Sequence, residues 1–155
     1  FVHGVTILDR LTPDMPPEAF NPVLVDFYKQ VGYLPHPILN YLLLLGWSHP
    51  DGVSEEFSLE EMKQLFSLDR VNKGASSFDA KKLFAFQERA MAAVPLPDKV
   101  DLVLPFAQRA GLVATPPTML ERITLTQAVE AACPRIKVAG DILDYDYLFL
   151  PDEQV

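Results

Sequence analysis

The run Ile38 to Trp47, ILNYLLLLGW, constrains the fold more than any other stretch of the chain. On a helix these side chains are apolar on nearly every side until Gly46, and a helix of that kind belongs in the middle of a core. The run is about half of the roughly 20 residues needed to cross a bilayer, and Asn40 and Tyr41 interrupt it, so a buried helix is expected and a membrane span is not. Trp47, just beyond Gly46, is expected to close over the helix end. A chain of 155 residues with 49% hydrophobic content can surround such a helix with a true core, as one domain or as two small ones packed together.

Capping and breaking signals divide the remainder into helices. Residues 12–22, TPDMPPEAFNP, hold four of the 14 prolines and are expected to be an extended approach; with the residues before them they form an extended N-terminal segment, 1–22. A first helix should begin near Val23 and end at Val31-Gly32, where Gly32 supplies a left-handed residue. Pro35 and Pro37 suit the first positions of the apolar helix. Ser58-Leu59-Glu60-Glu61 is a capping box flanked by Phe57 and Met62 at staple positions, and its helix should run to about Phe66. Ser67 then starts a short helical turn to Arg70. Asp79 caps a helix whose apolar side is Leu83, Phe84, Phe86 and Met91. Val94-Pro95-Leu96-Pro97 is the best linker, so the internal boundary falls there and separates 23–94 from 95–155. Beyond it, Asp98 to Ala110 reads helical with Gly111 as its cap and Pro105 bending it. A second capping box at Thr118 to Glu121 opens a helix that Pro134 stops, and Asp141 to Leu150 forms a last short helix. Strand-like alternation is confined to Gly4 to Leu8 and the neighbourhood of Phe57. The expected class is all-α.

Chemistry-bearing constellations are few. His3, His36 and His49 are scattered, so metal ligation is not expected. Cys133 is the one cysteine, which forbids an intramolecular disulfide and points to a reducing, cytoplasmic setting. It has no histidine near it in sequence to activate a nucleophile, and a packed thiol is the expectation. Asp144 and Asp146 point to different sides of a helix and read as a solvated acidic face. No GxxxxGK[ST] or GxGxxG pattern occurs. The N-terminus has neither the basic region nor the apolar core of a signal peptide, and the missing initiator Met suggests an excised piece.

The net charge of −8 argues against a protein that grips nucleic acid over its whole surface. Its distribution is uneven. Lys63, Arg70, Lys73, Lys81, Lys82 and Arg89 face only Asp69, Asp79 and Glu88 within the same stretch, whereas Asp141, Asp144, Asp146, Asp152 and Glu153 crowd the C-terminal end. A basic face on an acidic body fits RNA held over a limited footprint, although solvated helix faces have the same composition. Phe78, Phe84 and Phe86, interleaved with Lys81 and Lys82, supply the rings and ammonium groups that single-stranded bases and phosphates meet, although aromatics at helical spacing are also ordinary core.

Four motifs in order, GYLPHPILNYLLLLGWS (32–48), FSLEEM (57–62), SLDRV (67–71) and FDAKKL (78–83), resemble the part of the class I glutamyl-tRNA synthetases that follows their KMSKS loop. The resemblance extends over roughly residues 23–150. Neither a HIGH-like nor a KMSKS-like motif is present, and Leu11 to Pro22 reads as an insertion relative to the family. The resemblance implies a helical stem-contact fold at 23–94, followed at 95–155 by the first half of a helical anticodon-binding region. It implies a tRNA-binding fragment of a ligase that attaches glutamate to tRNA(Glu) using ATP, with the catalytic domain absent from this chain. ATP and Mg would belong to the parent enzyme, with no cofactor held here. tRNA(Glu) is the implied partner, bound by a cytoplasmic monomer without membrane or DNA. The stem-contact region touches the inner corner of the tRNA, which implicates Arg70, Lys73, Lys81, Lys82 and Arg89. Cys133-Pro134-Arg135 is similar to a Pro-Arg pair through which discriminating members read the anticodon, so Arg135 is the implied base reader. The other reading is a free-standing helical interaction module derived from a synthetase, without ligase activity.

Overall fold

The computed structural model describes residues 2–14, 21–49, 52, 54–74 and 76–149. Within them the chain is all-helical, its one β-type pairing being an isolated bridge between Trp47 and Val71. Part of the proline-rich segment, residues 15–20, and the acidic residues Asp152 and Glu153 lie outside the described residues.

The N-terminus departs from the extended segment expected there, because Val2–Leu11 is a helix, α1. Gly4, Ile7, Leu8 and Leu11 are its buried residues, at the i, i+3, i+4, i+7 spacing of one helical face. Gly4 to Leu8 is therefore helical rather than strand-like. Gly4 lets α2 (Val25–Val31) approach, since a Cβ at Gly4 would lie 2.9 Å from the Phe27 ring. α2 ends as expected at Gly32, left-handed at φ 99°.

α3 (Pro35–Gly46) opens on its prolines and carries the apolar run. It is not buried all round. Pro37, Ile38, Asn40 and Tyr41 are buried, but Leu39 and Leu42 are 45% and 44% exposed. Its neighbours explain this. α5 (Ala80–Ala93) packs against it most extensively and α4 (Leu59–Leu65) less so, which leaves Leu39 and Leu42 partly open. Next to Leu42 an apolar cavity of about 650 Å³ opens among Val23, Tyr28, Ile38, Tyr41 and Phe78.

Both capping boxes form. Ser58 accepts from the Glu61 amide at 3.2 Å while the Glu61 carboxylate accepts from the Ser58 amide at 2.7 Å, and the staple partners Phe57 and Met62 are both buried. Thr118 and Glu121 repeat the arrangement at the start of α7 (Met119–Ala132), where Glu121 also accepts from the Ala114 amide at 3.0 Å. These bonds hold both glutamates below the usual carboxylate range, the backbone hydrogen bonds from Ser58 and Thr118 being the largest causes. A 3₁₀ turn spans Leu68–Arg70 with Ser67 as its cap. Asp79 caps α5 by accepting from the Lys81 and Lys82 amides, and its own amide donates to Tyr41 Oη at 2.6 Å. α6 (Leu96–Arg109) follows after two residues, with Pro105 inside it and Gly111 left-handed beyond its end.

The last element, a 3₁₀ helix at Ala139–Phe149, packs against α6 and α7 and against α1. Asp141 accepts from the Lys137 and Val138 amides at 2.7 and 3.0 Å and lies 2.7 Å from His3 Nε2. Arg10 binds Asp146 at 2.6 Å and reaches Asp144 at 3.6 Å, so these two aspartates anchor α1 instead of forming a purely solvated face.

Buried residues from Ile7 through Met91 to Leu143 form one hydrophobic cluster that crosses the Val94–Pro97 junction. Gln87, fully buried, ties the two sides by accepting from the Leu34 amide at 2.9 Å and donating to the Lys137 carbonyl at 2.7 Å. The Ala139 amide donates to the Gly32 carbonyl at 2.9 Å across the same seam. Gly140 is required there, because a Cβ would lie 2.7 Å from the Val31 carbonyl oxygen and 2.6 Å from Ile7. Trp47 is buried as expected, within a separate small cluster with Phe57 and Met62.

Candidate nucleic-acid interface

The basic residues of the 63–89 stretch sit on three consecutive pieces. Arg70 ends the 3₁₀ turn, Lys73 lies in the loop after it, and Lys81, Lys82 and Arg89 project from α5. The loop is held against the end of α3, where the Asn72 amide donates to the Gly46 carbonyl at 2.7 Å and Ser76 donates to the Leu45 carbonyl. The capped start of α5 fixes the stems of Lys81 and Lys82 by the same logic.

The six cations named from the sequence fall into two groups. Lys82 Nζ lies 2.6 Å from Glu55 and Arg89 Nε 2.5 Å from Glu56. Lys82, Phe86 and Arg89 follow i, i+4, i+7 spacing, and both cations lie over the Phe86 ring, the Arg89 guanidinium 4.9 Å from its centroid. By contrast Arg70, Lys73 and Lys81 are exposed and have no carboxylate partner among the described residues. Lys63, also counted in the basic stretch, is paired with Glu60 at 2.7 Å. The glutamates that divide the set come from the segment before α4. Buried Asn40 holds that segment, donating to the Glu55 carbonyl at 2.6 Å and accepting from the Phe57 amide at 2.8 Å, while His36 Nε2 lies 2.8 Å from the Phe57 carbonyl. The Lys82–Glu55 and Arg89–Glu56 pairs are 27 and 33 residues apart, so no local spacing announces them.

Of the three aromatics, Phe86 is 5% exposed and belongs to the core. Phe84 is half-buried against Tyr33, with Lys137 over its ring. Phe78 is 47% exposed and meets Tyr41 edge-on at 5.2 Å, leaving a free ring surface beside the loop that carries Lys73. Tyr33, packed beside Tyr28 and Asp141, has its phenol pushed up to about 12, burial being the largest cause.

Arg135 is remote from that stretch in sequence and follows the end of α7. Its amide donates to the Ala132 carbonyl at 2.7 Å, one guanidinium nitrogen donates to the Ala131 carbonyl at 3.2 Å, and the fork lies 5.3 Å from the Tyr145 ring centroid. An exposed guanidinium stacked on a tyrosine keeps donors free at a fixed orientation, which suits planar recognition of a base edge.

Among the described residues no three or more His, Cys, Asp or Glu gather as a metal site, and no helix is long and apolar enough to cross a membrane.

Residues 21–85 match the family model described as tRNA synthetases class I (E and Q), catalytic domain. The chain is 37% identical over 125 residues to the glutamate–tRNA ligase of Desulforudis audaxviator, which covers 81% of this chain and 25% of the relative. It is 38% identical over 139 residues to that of Borrelia duttonii, covering 90% of this chain and 24% of the relative. The fold is similar to the crystal structure of the glutamate–tRNA synthetase from Elizabethkingia anophelis, with a TM-score of 0.57 at 24% identity over 76% of this chain and 22% of that one. The chain is homologous to glutamate–tRNA ligases, which are aminoacyl-tRNA synthetases, and it spans about a quarter of their length. The family model that matches residues 21–85 is described as a catalytic domain, whereas the motifs there resemble the part that follows the KMSKS loop.

Proposed function

We propose that this chain is a tRNA-contacting portion of a glutamate–tRNA ligase, the enzyme that joins glutamate to tRNA(Glu) at the expense of ATP. The similarity to named glutamate–tRNA ligases along most of the chain carries this reading. Residues 23–94 contact the tRNA stem and residues 95–155 lie toward the anticodon. Arg70, Lys73 and Lys81 meet phosphates, because unpaired cations gain most when counterions leave the RNA backbone. Lys82 and Arg89 contribute less affinity, since each must leave a carboxylate to reach a phosphate. Arg135 reads a base edge. ATP and Mg are held by the remainder of a cytoplasmic parent enzyme.

The test uses the purified chain and two tRNAs. Wild type retains tRNA(Glu) in preference to tRNA(Gln), and Arg135→Gln loses about 1–3 kcal/mol of that preference while affinity for either tRNA falls less. An unaltered ratio of the two Kd values removes Arg135 from base recognition. A chain that retains neither tRNA, at low salt and with a folded circular dichroism spectrum, favours an interaction module instead.

A further inference from the structure

Lys99 is 0% exposed, yet its amine meets no carboxylate, hydroxyl or carbonyl oxygen at hydrogen-bonding distance among the described residues. Its partner is Cys133 Sγ, 3.3 Å away. Lysine is almost never fully buried without a strong acceptor, and a thiol is a weak one, so this contact is not explained by stability. Two helices build it. Lys99 lies in the first turn of α6, its amide donating to the Pro95 carbonyl at 2.9 Å, and Cys133 ends α7, its amide donating to the Glu130 carbonyl at 3.3 Å. The amine is enclosed while Cys133 is partly exposed, so an oxidant in solution reaches the sulfur and the product faces a held nitrogen.

We propose that Cys133 and Lys99 form a modification site, a nitrogen–sulfur cross-link made when a hydroperoxide oxidises the thiol. The Cys133 sulfur attacks one peroxide oxygen, the O–O bond breaks, and the departing oxygen leaves as water with the thiol proton when hydrogen peroxide is the oxidant. The resulting sulfenic acid lies against the Lys99 amine. The amine nitrogen, after its ammonium proton passes to solvent, attacks sulfur, the S–O bond breaks, and the hydroxide released takes a proton from the nitrogen to form a second water. Sulfur is oxidised by two electrons and the peroxide is reduced, so protein and oxidant together lose no atom except as two waters. The link joins α6 to the end of α7 and is reversed by thiol reductants, which attack its sulfur.

The purified chain is treated with hydrogen peroxide and its intact mass is measured. The expected product is lighter than the starting chain by two hydrogens, loses tryptic cleavage after Lys99, and yields one peptide pair joining Lys99 to Cys133. Dithiothreitol restores the original mass. In Lys99→Met, whose side chain fills similar space, the same treatment takes Cys133 on to its sulfinic and sulfonic acids with no two-hydrogen loss. The proposal is overturned if wild type gains only oxygen while Lys99 is recovered unlinked, if the product is only a disulfide dimer, or if the two-hydrogen loss persists in Lys99→Met. Should the variant fail to fold, the peptide map of the oxidised wild type decides by itself.

Discussion

The two hydrophobic clusters are built on different principles. The larger one, which includes Leu8, Met91, Val103, Leu125, Val129, Ile142 and Leu143, is mainly aliphatic, draws on helices from both halves of the chain, and has many members with no exposed surface. The smaller consists of Trp47, Phe57 and Met62, with Leu43, Leu44 and Leu65 packed at its edge. It has few neighbours and relies on polar clamps, namely the Asn40 side chain, His36 and the Ser58–Glu61 box. Apolar burial scales with area, so a cluster this small needs directed hydrogen bonds to fix its geometry. Part of the basic surface depends on the smaller cluster, because the isolated Trp47–Val71 bridge beside Arg70 and the Glu55–Glu56 segment both start from it. The region proposed to touch RNA thus straddles the two clusters: the loop carrying Arg70 and Lys73 starts from the small one, whereas Lys81, Lys82 and Arg89 project from α5, whose Leu83, Phe86 and Met91 belong to the large one.

The largest expected effect separates the two. Trp47→Ala should cost about 3–5 kcal/mol, the usual penalty for removing a buried Trp, and should do so locally. Hydrogen exchange should show lost protection around residues 57–66 while α6 and α7 stay protected. Leu125→Ala, in the large cluster, should instead lower protection throughout. If Trp47→Ala shifts the unfolding midpoint no more than a surface change, the small cluster contributes nothing. Asn40→Ala comes next at about 1–3 kcal/mol, since it leaves the Phe57 amide and Glu55 carbonyl without partners. It should also free Glu55 and Glu56 from Lys82 and Arg89, which the same exchange experiment can follow at Phe57.

The smallest effect belongs to the seam of the large cluster. The Tyr33 phenol is raised from 10.0 to about 12, so the folded state holds its proton more tightly than the unfolded chain does. Its contribution to stability is complete below pH 10 and is lost as pH rises toward 12. Tyr33→Phe should flatten the fall in denaturation midpoint across that window; an unchanged profile would show that other groups set it.

Local signals are legible in the sequence because their physics is local. Ser58-Glu61, Thr118-Glu121, Asp79 and Gly32 fix helix ends through contacts within a few residues, and each stands where expected. The helical face Gly4, Ile7, Leu8, Leu11 was equally legible, but the neighbouring prolines suggested an extended segment. Composition places the apolar run in the middle of the core because it cannot say how many neighbours a helix receives, and α3 leaves Leu39 and Leu42 exposed. The site shows the same limit. The positions of Arg70, Lys73 and Lys81 follow from charge and spacing and that of Arg135 only from the resemblance of its Pro-Arg pair, whereas the pairing of Lys82 and Arg89 with Glu55 and Glu56 depends on a chain reversal that Asn40 holds and no motif encodes.

The salt dependence of tRNA(Glu) binding tests the central claim most directly. The purified wild-type chain and a variant with Arg70→Gln, Lys73→Gln and Lys81→Gln are titrated with tRNA(Glu) across a range of monovalent salt, and log Kd is plotted against log salt concentration. Each phosphate contact contributes about 0.7–0.9 to the slope, so the triple variant should be shallower by about 2–3 and should lose affinity for any tRNA alike. A slope equal to that of wild type would contradict the account and return these three cations to ordinary solvated surface.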